Sequence, residues 1–291
     1  MTTTMTAAPV TGTAAAPGRA EPRPRFRDLL AAEWTKLWSL RSIRWALGGL
    51  LLAALLANGN AARSDMANYA HYSQDLKEHY FSPYWVMRDC YTSNAGWITA
   101  LLAGAIGAIA IVGEYSTGMI RTTFAAVPAR RSVLAAKAAV LTALMSAAGL
   151  VMSFGSFFLV QAIMSEHHQG VSLSREGVLR CVLASAALPV VCALVGFGLG
   201  ALIRHSATTM IAVTAVLLLL PNLVNAPDKR WVTDAYNALP IPAWERLAFV
   251  GSRAQLGGKY PATIDGSWVA LLVWSLAAVV VPLLVVRRRD V

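Results

Sequence analysis

The chain has 291 residues, 56% of them apolar and only 14% charged, with a mean hydropathy of +0.53. Because a soluble domain carries about a quarter of charged residues, this composition excludes an ordinary soluble protein and indicates a chain that lies mostly in lipid. The net charge of +10 does not indicate nucleic-acid binding, since the basic residues follow the ends of the apolar segments. The three cysteines are an odd number and predict no disulfide framework.

The first 42 residues divide into a tail and a predicted helix. Residues 1–25 are rich in Thr, Ala, Pro, Gly and Arg without apolar periodicity, which predicts a disordered tail rather than a signal peptide. Residues 26–42 have apolar side chains at helical spacing, which predicts an amphipathic helix in the membrane interface. Glu33 and Arg41 project from its apolar side, where they either contact protein or helix ends, or reach the headgroups. The candidate interfacial residues are Glu33, Trp34, Lys36, Trp38 and Arg41.

Six apolar segments are each close to the roughly 20 residues that cross a bilayer. Residues 43–291 are therefore predicted to form a six-helix transmembrane domain, and the fold class is an all-α integral membrane protein. Asn58 and Asn60 interrupt the end of the first segment, Pro189 is expected to kink the fourth, and Pro221 to bend or end the fifth. The segments lie near residues 45–62, 96–113, 133–164, 178–203, 207–225 and 267–286.

The distribution of charge predicts the orientation. With the N-terminus inside, fifteen of the 25 basic residues and five of the 15 acidic residues fall on the cytoplasmic side, so the whole net positive charge is cytoplasmic. Both termini and the segment between the second and third spans are then cytoplasmic. The outer loops are residues 63–95, which are rich in Tyr and His, and residues 226–266, in which a short helix is predicted at Ala243–Leu256.

Several kinds of chemistry lack sequence support. The apolar segments hold almost no ionisable side chains away from their ends, which argues against ion-coupled transport. No P-loop is present, because Gly257-Gly258-Lys259 is followed by Tyr260. We expect no catalytic site, cofactor or metal site. Gly196 and Gly200 lie four residues apart in the fourth segment and predict close helix packing. The candidates for a membrane enzyme acting on lipids are His71, Asp75, Glu78 and His79.

A polar, glycine-containing stretch, GEYSTGMIRTTFAAVPARR, joins the second and third segments. Ser116 or Thr117 is expected to cap the start of a short helix through its hydroxyl group. An apolar side and exposed charges on one short helix are typical of docking to a protein. The apolar side is predicted to hold Met119, Ile120 and Phe124; Pro128 is predicted to end the helix, and Arg130, Arg131 and Lys137 to anchor the next span at the headgroups.

From about residue 26 to 291, the chain resembles the permease subunits of ABC-2 type ABC transporters. The resemblance rests on EWTKLWSLRS (Glu33–Ser42), the stretch Gly113–Arg131, GFGLGALIR (Gly196–Arg204) and the C-terminal RRRD. It implies that two such subunits, identical or sister permeases, pair with two cytoplasmic ATPases, and that residues 116–126 form the coupling helix. The coupling residues so implied are Glu114, Thr117, Gly118, Met119, Ile120, Arg121 and Phe124.

The resemblance further implies ATP-driven export across a bacterial plasma membrane, with ATP hydrolysis in the partner chain. Since the spans offer little charge, we expect a hydrophobic or lipid-like cargo and contact with membrane lipid. Two alternatives stay open: a regulatory, immunity or sensor protein that binds an ATPase without transport, and an integral membrane enzyme acting on lipids. The outer loop 63–95 is longer than the resemblance implies, and a lid is one interpretation of it.

Overall fold

The computed structural model describes residues 25–127, 129–224, 229–251 and 259–286. In these ranges every regular element is helical and no strand occurs. The predicted tail, apart from Arg25, and the C-terminal residues 287–291 lie outside the described residues, as does Pro128. The long helices are α2 (Arg41–Asn68), α5 (Ser93–Ser116), α7 (Arg130–Met164), α8 (Val178–Ile203) and α13 (Ile264–Val285). The short ones are α1 (Phe26–Ser39), α3 (Gln74–His79), α4 (Val86–Cys90), α6 (Met119–Ala126), α9 (Ser206–Thr214), α10 (Leu220–Leu223), α11 (Arg230–Asn237) and α12 (Pro240–Ala248).

Six helical stretches among the described residues are long and apolar enough to cross a membrane. The chain therefore has the architecture of a multi-pass membrane protein, and the prediction of an all-helical fold with six such segments is confirmed. The stretches are Arg41–His71, Phe81–Ser116, Arg130–His167, Val178–Ile203, Ser206–Leu223 and Ile264–Val285.

Helix α8 forms the centre of the bundle, because α5, α7, α12 and α13 all pack against it. Its glycines bring the helix axes close together. A Cβ atom at Gly196 would overlap the carbonyl oxygen of Gly104 on α5, and one at Gly200 would lie 2.7 Å from Cγ2 of Ile111. Both glycines therefore lie where α5 and α8 approach closely, and a larger side chain there would force the helices apart.

The prolines of the fourth and fifth segments have different effects. Helix α8 continues through Pro189 to Ile203, and Gly149 of α7 leaves the space into which the Pro189 ring fits. In the fifth segment, a π-helical turn at Ala215–Leu219 precedes Pro221, and the helix ends at Leu223. Proline has no N–H to donate to the preceding turn, and its ring displaces the backbone carbonyl of that turn. The wider π-helical turn accommodates both effects.

Asn58, one of the two asparagines that interrupt the end of the first apolar segment, does not end the helix, since α2 runs through it to Asn68. Asn58 is buried, and each end of its amide is bonded. Its Nδ2 donates to Oγ of Ser156 at 3.0 Å, and its Oδ1 accepts from the backbone N and the Oγ1 of Thr92 at 3.1 and 2.9 Å. An amide that is hydrogen-bonded through both its nitrogen and its oxygen is tolerated in a buried helix, so the helix need not end there.

Residues 69–91, which join α2 to α5, are mostly helical rather than an open loop. Ring packing holds this segment together: Tyr72 stacks on Trp85 with centroids 5.4 Å apart, and the edge of Phe81 meets Trp85 at 5.5 Å.

Later in the chain, α12 begins at Pro240, earlier than the predicted Ala243, because proline is well suited to the first turn of a helix. The end of that predicted helix, residues 252–256, lies outside the described residues.

Candidate functional site: a buried charge cluster beside a short helix

Helix α1 turns a charged residue inward. Glu33 and Leu37 form its buried side, and Glu33 is only 2% exposed. Of the two alternatives for this residue, contact with protein is therefore what the structure shows. Arg41 is exposed at the start of α2. Trp34 and Trp38 are on the outer side of α1, where their rings stack with centroids 5.9 Å apart.

Glu33, Lys36, Glu114 and Lys137 meet in what we call the charge cluster. The Nζ of Lys137 donates to Oε1 of Glu114 at 2.7 Å and also to Oε2 of Glu33. The Nζ of Lys36 donates to Oε1 of Glu33 at 2.8 Å and to Oε1 of Glu114 at 3.4 Å. Two carboxylates face two ammonium groups, so the charges balance and offset the cost of burial.

Lys137 is not at the headgroups, and that prediction is wrong. It is 1% exposed and lies on the side of α7 that faces α1 and the end of α5. Two carboxylates within hydrogen-bonding distance make this position more favourable than an isolated charge in the interior. The two arginines at the start of α7 differ: Arg130 lies over the Phe124 ring at 5.5 Å, and Nε of Arg131 donates to the carbonyl of Leu283 at 3.2 Å.

Lys36 is the cluster member with access to solvent. Partial burial by itself lowers the pKa of Lys36, but the hydrogen bonds and charges of Glu33 and Glu114 outweigh this effect, so the pKa is raised. Lys36 therefore stays protonated at neutral pH and contributes a full positive charge. Its Nζ also donates to Oγ1 of Thr123 on α6 at 3.4 Å. The cluster thus joins four helices: α1, α5, α6 and α7.

The connection from α5 to α6 differs from the prediction that a hydroxyl caps α6. The residue before α6 is Gly118, in the left-handed conformation with φ of 72° and no side-chain cap. Ser116 and Thr117 instead donate their hydroxyls to the carbonyl of Gly113, at 3.0 and 2.8 Å. The last carbonyls of α5 lack helical partners, so nearby hydroxyls bond them, and the chain reverses at the one residue without a Cβ.

Helix α6 has two distinct sides. Ile120 and Phe124 are buried in a small apolar cluster with Val133 and Val286. Met119 and Arg121 are exposed on the other side, so Met119 does not line the buried side as predicted. The structure therefore divides the implied coupling residues. Glu114, Ile120 and Phe124 point inward, Gly118 is half-buried, and Thr117, Met119 and Arg121 are exposed.

The end of α8 reaches the same region. Arg204 ends α8 in the left-handed conformation, with φ of 62°, and its guanidinium lies 5.2 Å from the ring centroid of Tyr115. The motif that ends at Arg204 and the stretch that begins at Gly113 are therefore neighbours in space. Sequence reasoning did not link them, and it also missed Thr123. The available signal for the cluster was that Glu33 and Lys137 are opposite charges, each placed among apolar residues.

The candidate enzyme residues do not assemble into a site. His71 and Glu78 are exposed, and Nδ1 of His79 lies 3.1 Å from Oδ1 of Asp75, one turn away on the exposed surface of α3. Among the residues that the structure describes, no three His, Cys, Asp or Glu side chains come together in a metal-binding arrangement. The histidine and carboxylate of α3 therefore form a surface pair.

The class that the structure defines is a multi-pass α-helical membrane protein with a buried charge cluster at one end of its bundle. Models of known protein families do not match the sequence, and no curated protein matches it either.

Proposed function

We propose that the chain is the membrane subunit of an ATP-driven ABC-2 type exporter in a bacterial plasma membrane. In this proposal α6 is the helix that docks on a separate cytoplasmic ATPase. The proposal rests on the way α6 is attached to the ends of the long helices. This short amphipathic helix exposes Met119 and Arg121, while its inner side is fixed to the ends of long helices by apolar contacts and the charge cluster.

This attachment suits the transfer of movement from a partner to the membrane helices. Ile120 and Phe124 pack on Val133 of α7, and Thr123 accepts a hydrogen bond from Lys36. Lys36 in turn contacts Glu114 at the end of α5. Because buried, balanced ion pairs are costly to separate, a push on α6 moves α1, α5 and α7 together rather than deforming the joint.

The orientation follows from the basic residues, which favour a cytoplasmic position for α6 and both termini. The exposed, stacked Trp34 and Trp38 support placing α1 at the membrane interface, where tryptophan is enriched. We further propose that the cargo is hydrophobic or lipid-like and moves along the interface with a second permease, either a copy of this chain or a sister subunit.

The test compares wild type with Arg121→Glu, and the control is Arg175→Glu, an exposed arginine between α7 and α8. The tagged chain is isolated in mild detergent from its own cells, and co-purifying soluble proteins are identified. We expect an ATPase with a Walker A motif to co-purify with wild type and the control, and its recovery to fall at least tenfold with Arg121→Glu. Equal recovery with all three would contradict docking through α6.

Reconstitution then separates export from regulation. The complex is placed in proteoliposomes, and ATP-dependent movement of a fluorescent phospholipid analogue is followed. We expect movement with wild type and loss of movement with Arg121→Glu. An ATPase that binds wild type without ATP-dependent movement of any amphiphile would favour the regulatory alternative, in which the chain binds an ATPase but carries no cargo.

A further inference from the structure

A groove separates α2 and α7 at the far end of α7 from α6. It has a volume of about 450 Å³ and is open to the surface. Apolar side chains form its floor, and charged or aromatic side chains form its rim. The floor consists of Met66, Ala67, Ala162 and Ile163, and the rim consists of Arg63, Glu166 and His167.

Two contacts fix how α2 and α7 align beside this groove. Asn58 is hydrogen-bonded to Ser156, which is 98 residues later in the chain. Tyr69 stacks on His167, also 98 residues later, with ring centroids 4.7 Å apart. Because both contacts have the same offset, the two helices run in the same direction, and each position on α2 is level with the position 98 residues later.

The two charges of the rim therefore lie at different depths. On this register Glu166 is level with Asn68, the last residue of α2, and is five residues beyond Arg63. At a rise of about 1.5 Å per residue, Glu166 lies about 7 Å further from the middle of the span than Arg63. The C-terminal ends of α2 and α7 add partial negative charge at the level of Glu166. The deeper charge is thus positive, and the outer charge is negative.

Neither rim charge is neutralised by a neighbour. Arg63 and Glu166 are both exposed, and neither forms an ion pair or a side-chain hydrogen bond with any residue that the structure describes. Opposite charges that line one groove without contacting each other leave space for a group that has both signs of charge. Such a group would place its anion at Arg63 and its cation at Glu166.

Exposed apolar side chains lead from the groove toward the middle of each span. On each helix they precede a residue that lines the groove by four, seven or eleven positions, so they lie on the same side of the helix as that residue. This arrangement provides an apolar path on both helices below the rim. The side chains are Leu52 and Leu56 on α2, and Val151 and Phe158 on α7.

The aromatic wall of the groove is held in place by its own contacts. The ring of His167 is stacked on Tyr69, and Nε2 of Gln169 donates to the hydroxyl of Tyr69 at 3.0 Å. The Nζ of Lys77 lies 4.9 Å from the centroid of the same Tyr69 ring. Because the wall is ordered without a ligand, binding in the groove costs little conformational entropy.

We propose that this groove binds one phospholipid whose headgroup carries a phosphate and a primary ammonium group, as in phosphatidylethanolamine. Arg63 donates to the phosphate oxygens, and Glu166 accepts from the ammonium group. This order suits the lipid, in which the phosphate is joined to the glycerol and the ammonium group extends beyond it. The acyl chains lie along the exposed apolar side chains of α2 and α7. The site requires the membrane-spanning helices alone, so it does not depend on an ATPase partner.

The choice of headgroup follows from the chemistry of the rim. The quaternary ammonium group of phosphatidylcholine has no N–H to donate to Glu166. Phosphatidylglycerol has no cation, and its phosphate is the only charged group that the rim would bind. Both lipids therefore satisfy Arg63 and leave Glu166 without a hydrogen-bond donor.

The experiment measures lipid binding to the intact chain by native mass spectrometry in mild detergent. The probes are phosphatidylethanolamine, phosphatidylcholine and phosphatidylglycerol with identical acyl chains. The variants are Glu166→Gln, Arg63→Gln and Ala162→Trp, the last of which fills the groove and keeps both charges. The matched controls are Glu176→Gln and Arg175→Gln, which change exposed residues between α7 and α8.

We expect wild type and both controls to bind the first phosphatidylethanolamine about tenfold more tightly than the other two lipids, as one charge-assisted hydrogen-bonding group implies. In Glu166→Gln this preference should fall below about twofold. Arg63→Gln should weaken the binding of all three lipids, because each carries the phosphate. Ala162→Trp should remove the tight binding of phosphatidylethanolamine.

Equal wild-type affinities for phosphatidylethanolamine and phosphatidylcholine would overturn the proposal, as would an unchanged preference in Glu166→Gln. Water-soluble phosphoethanolamine is added as a competitor at the same concentration as the lipid. Displacement of the lipid would show a site for a soluble headgroup and refute a lipid occupant. If Glu166→Gln does not fold, the other two variants decide, and wild-type binding of phosphatidylethanolamine in both would refute the site.

Discussion

Replacing Lys137 with methionine is the sharpest test of the charge cluster. Methionine keeps the unbranched shape and removes the charge, so Glu33 and Glu114 are left with Lys36 as their single cation. Lys137 is 1% exposed, and its Nζ contacts both carboxylates, one at 2.7 Å. Removing one partner of a buried ion pair costs about 3–5 kcal/mol of unfolding free energy, because an uncompensated charge stays buried.

Lys36→Met is the matched comparison, since Lys36 contacts the same two carboxylates from a position with solvent access. Its side chain is 29% exposed, so water screens the charges that it leaves behind. We expect the unfolding free energy of this variant to fall by only about 1 kcal/mol. Both lysines contact the same two carboxylates, so the difference in unfolding free energy between the two variants measures the effect of burial rather than the number of contacts.

The double variant Glu33→Gln/Lys137→Met removes one charge of each sign and leaves the pair of Lys36 and Glu114, with Nζ and Oε1 3.4 Å apart. We expect it to be less destabilised than the sum of the single variants by at least about 1 kcal/mol. The assay is reversible unfolding by SDS in mixed micelles, followed by circular dichroism. A loss below about 1 kcal/mol for Lys137→Met, or strict additivity in the cycle, would refute the reasoning.

Two further predictions concern helix packing. Gly196→Ala should lower the unfolding free energy by about 1–3 kcal/mol in the same assay, because its Cβ meets backbone of α5, whereas Gly48→Ala, with open space around it, should have no such effect. Asn58→Leu should cost about 1–3 kcal/mol, because three hydrogen bonds to Ser156 and Thr92 are lost. Stabilities equal to wild type in Gly196→Ala or Asn58→Leu would show that these contacts do not constrain the bundle.

Hydropathy predicted the spanning segments because the bilayer sets a length that a sequence of apolar residues must meet. The inward position of Glu33 was likewise within reach of the sequence, since helical angle places it on the apolar side of α1. Turn chemistry was harder to predict. Ser116 and Thr117 have suitable hydroxyls both for starting α6 and for ending α5, and only the left-handed backbone at Gly118 decides between these roles.

Lys137 illustrates what the sequence alone does not reveal. A lysine seven residues after Arg130 and six after Arg131 fits a headgroup anchor, and its apolar neighbours alone do not identify its partner. Its partner Glu33 is 104 residues away, so the pairing exists only once α1 and α7 pack together. The same holds for Asn58, which looks like an interruption of a span until Ser156, 98 residues later, supplies its hydrogen-bond partner.

Helix α5 lies between two groups of charged residues. Glu114, near one end, belongs to the charge cluster. Asp89, just before the other end, contacts Arg88, which also contacts Asp65. Between them, Gly104 brings the backbone of α5 against α8, which favours movement of the helix as a rigid rod.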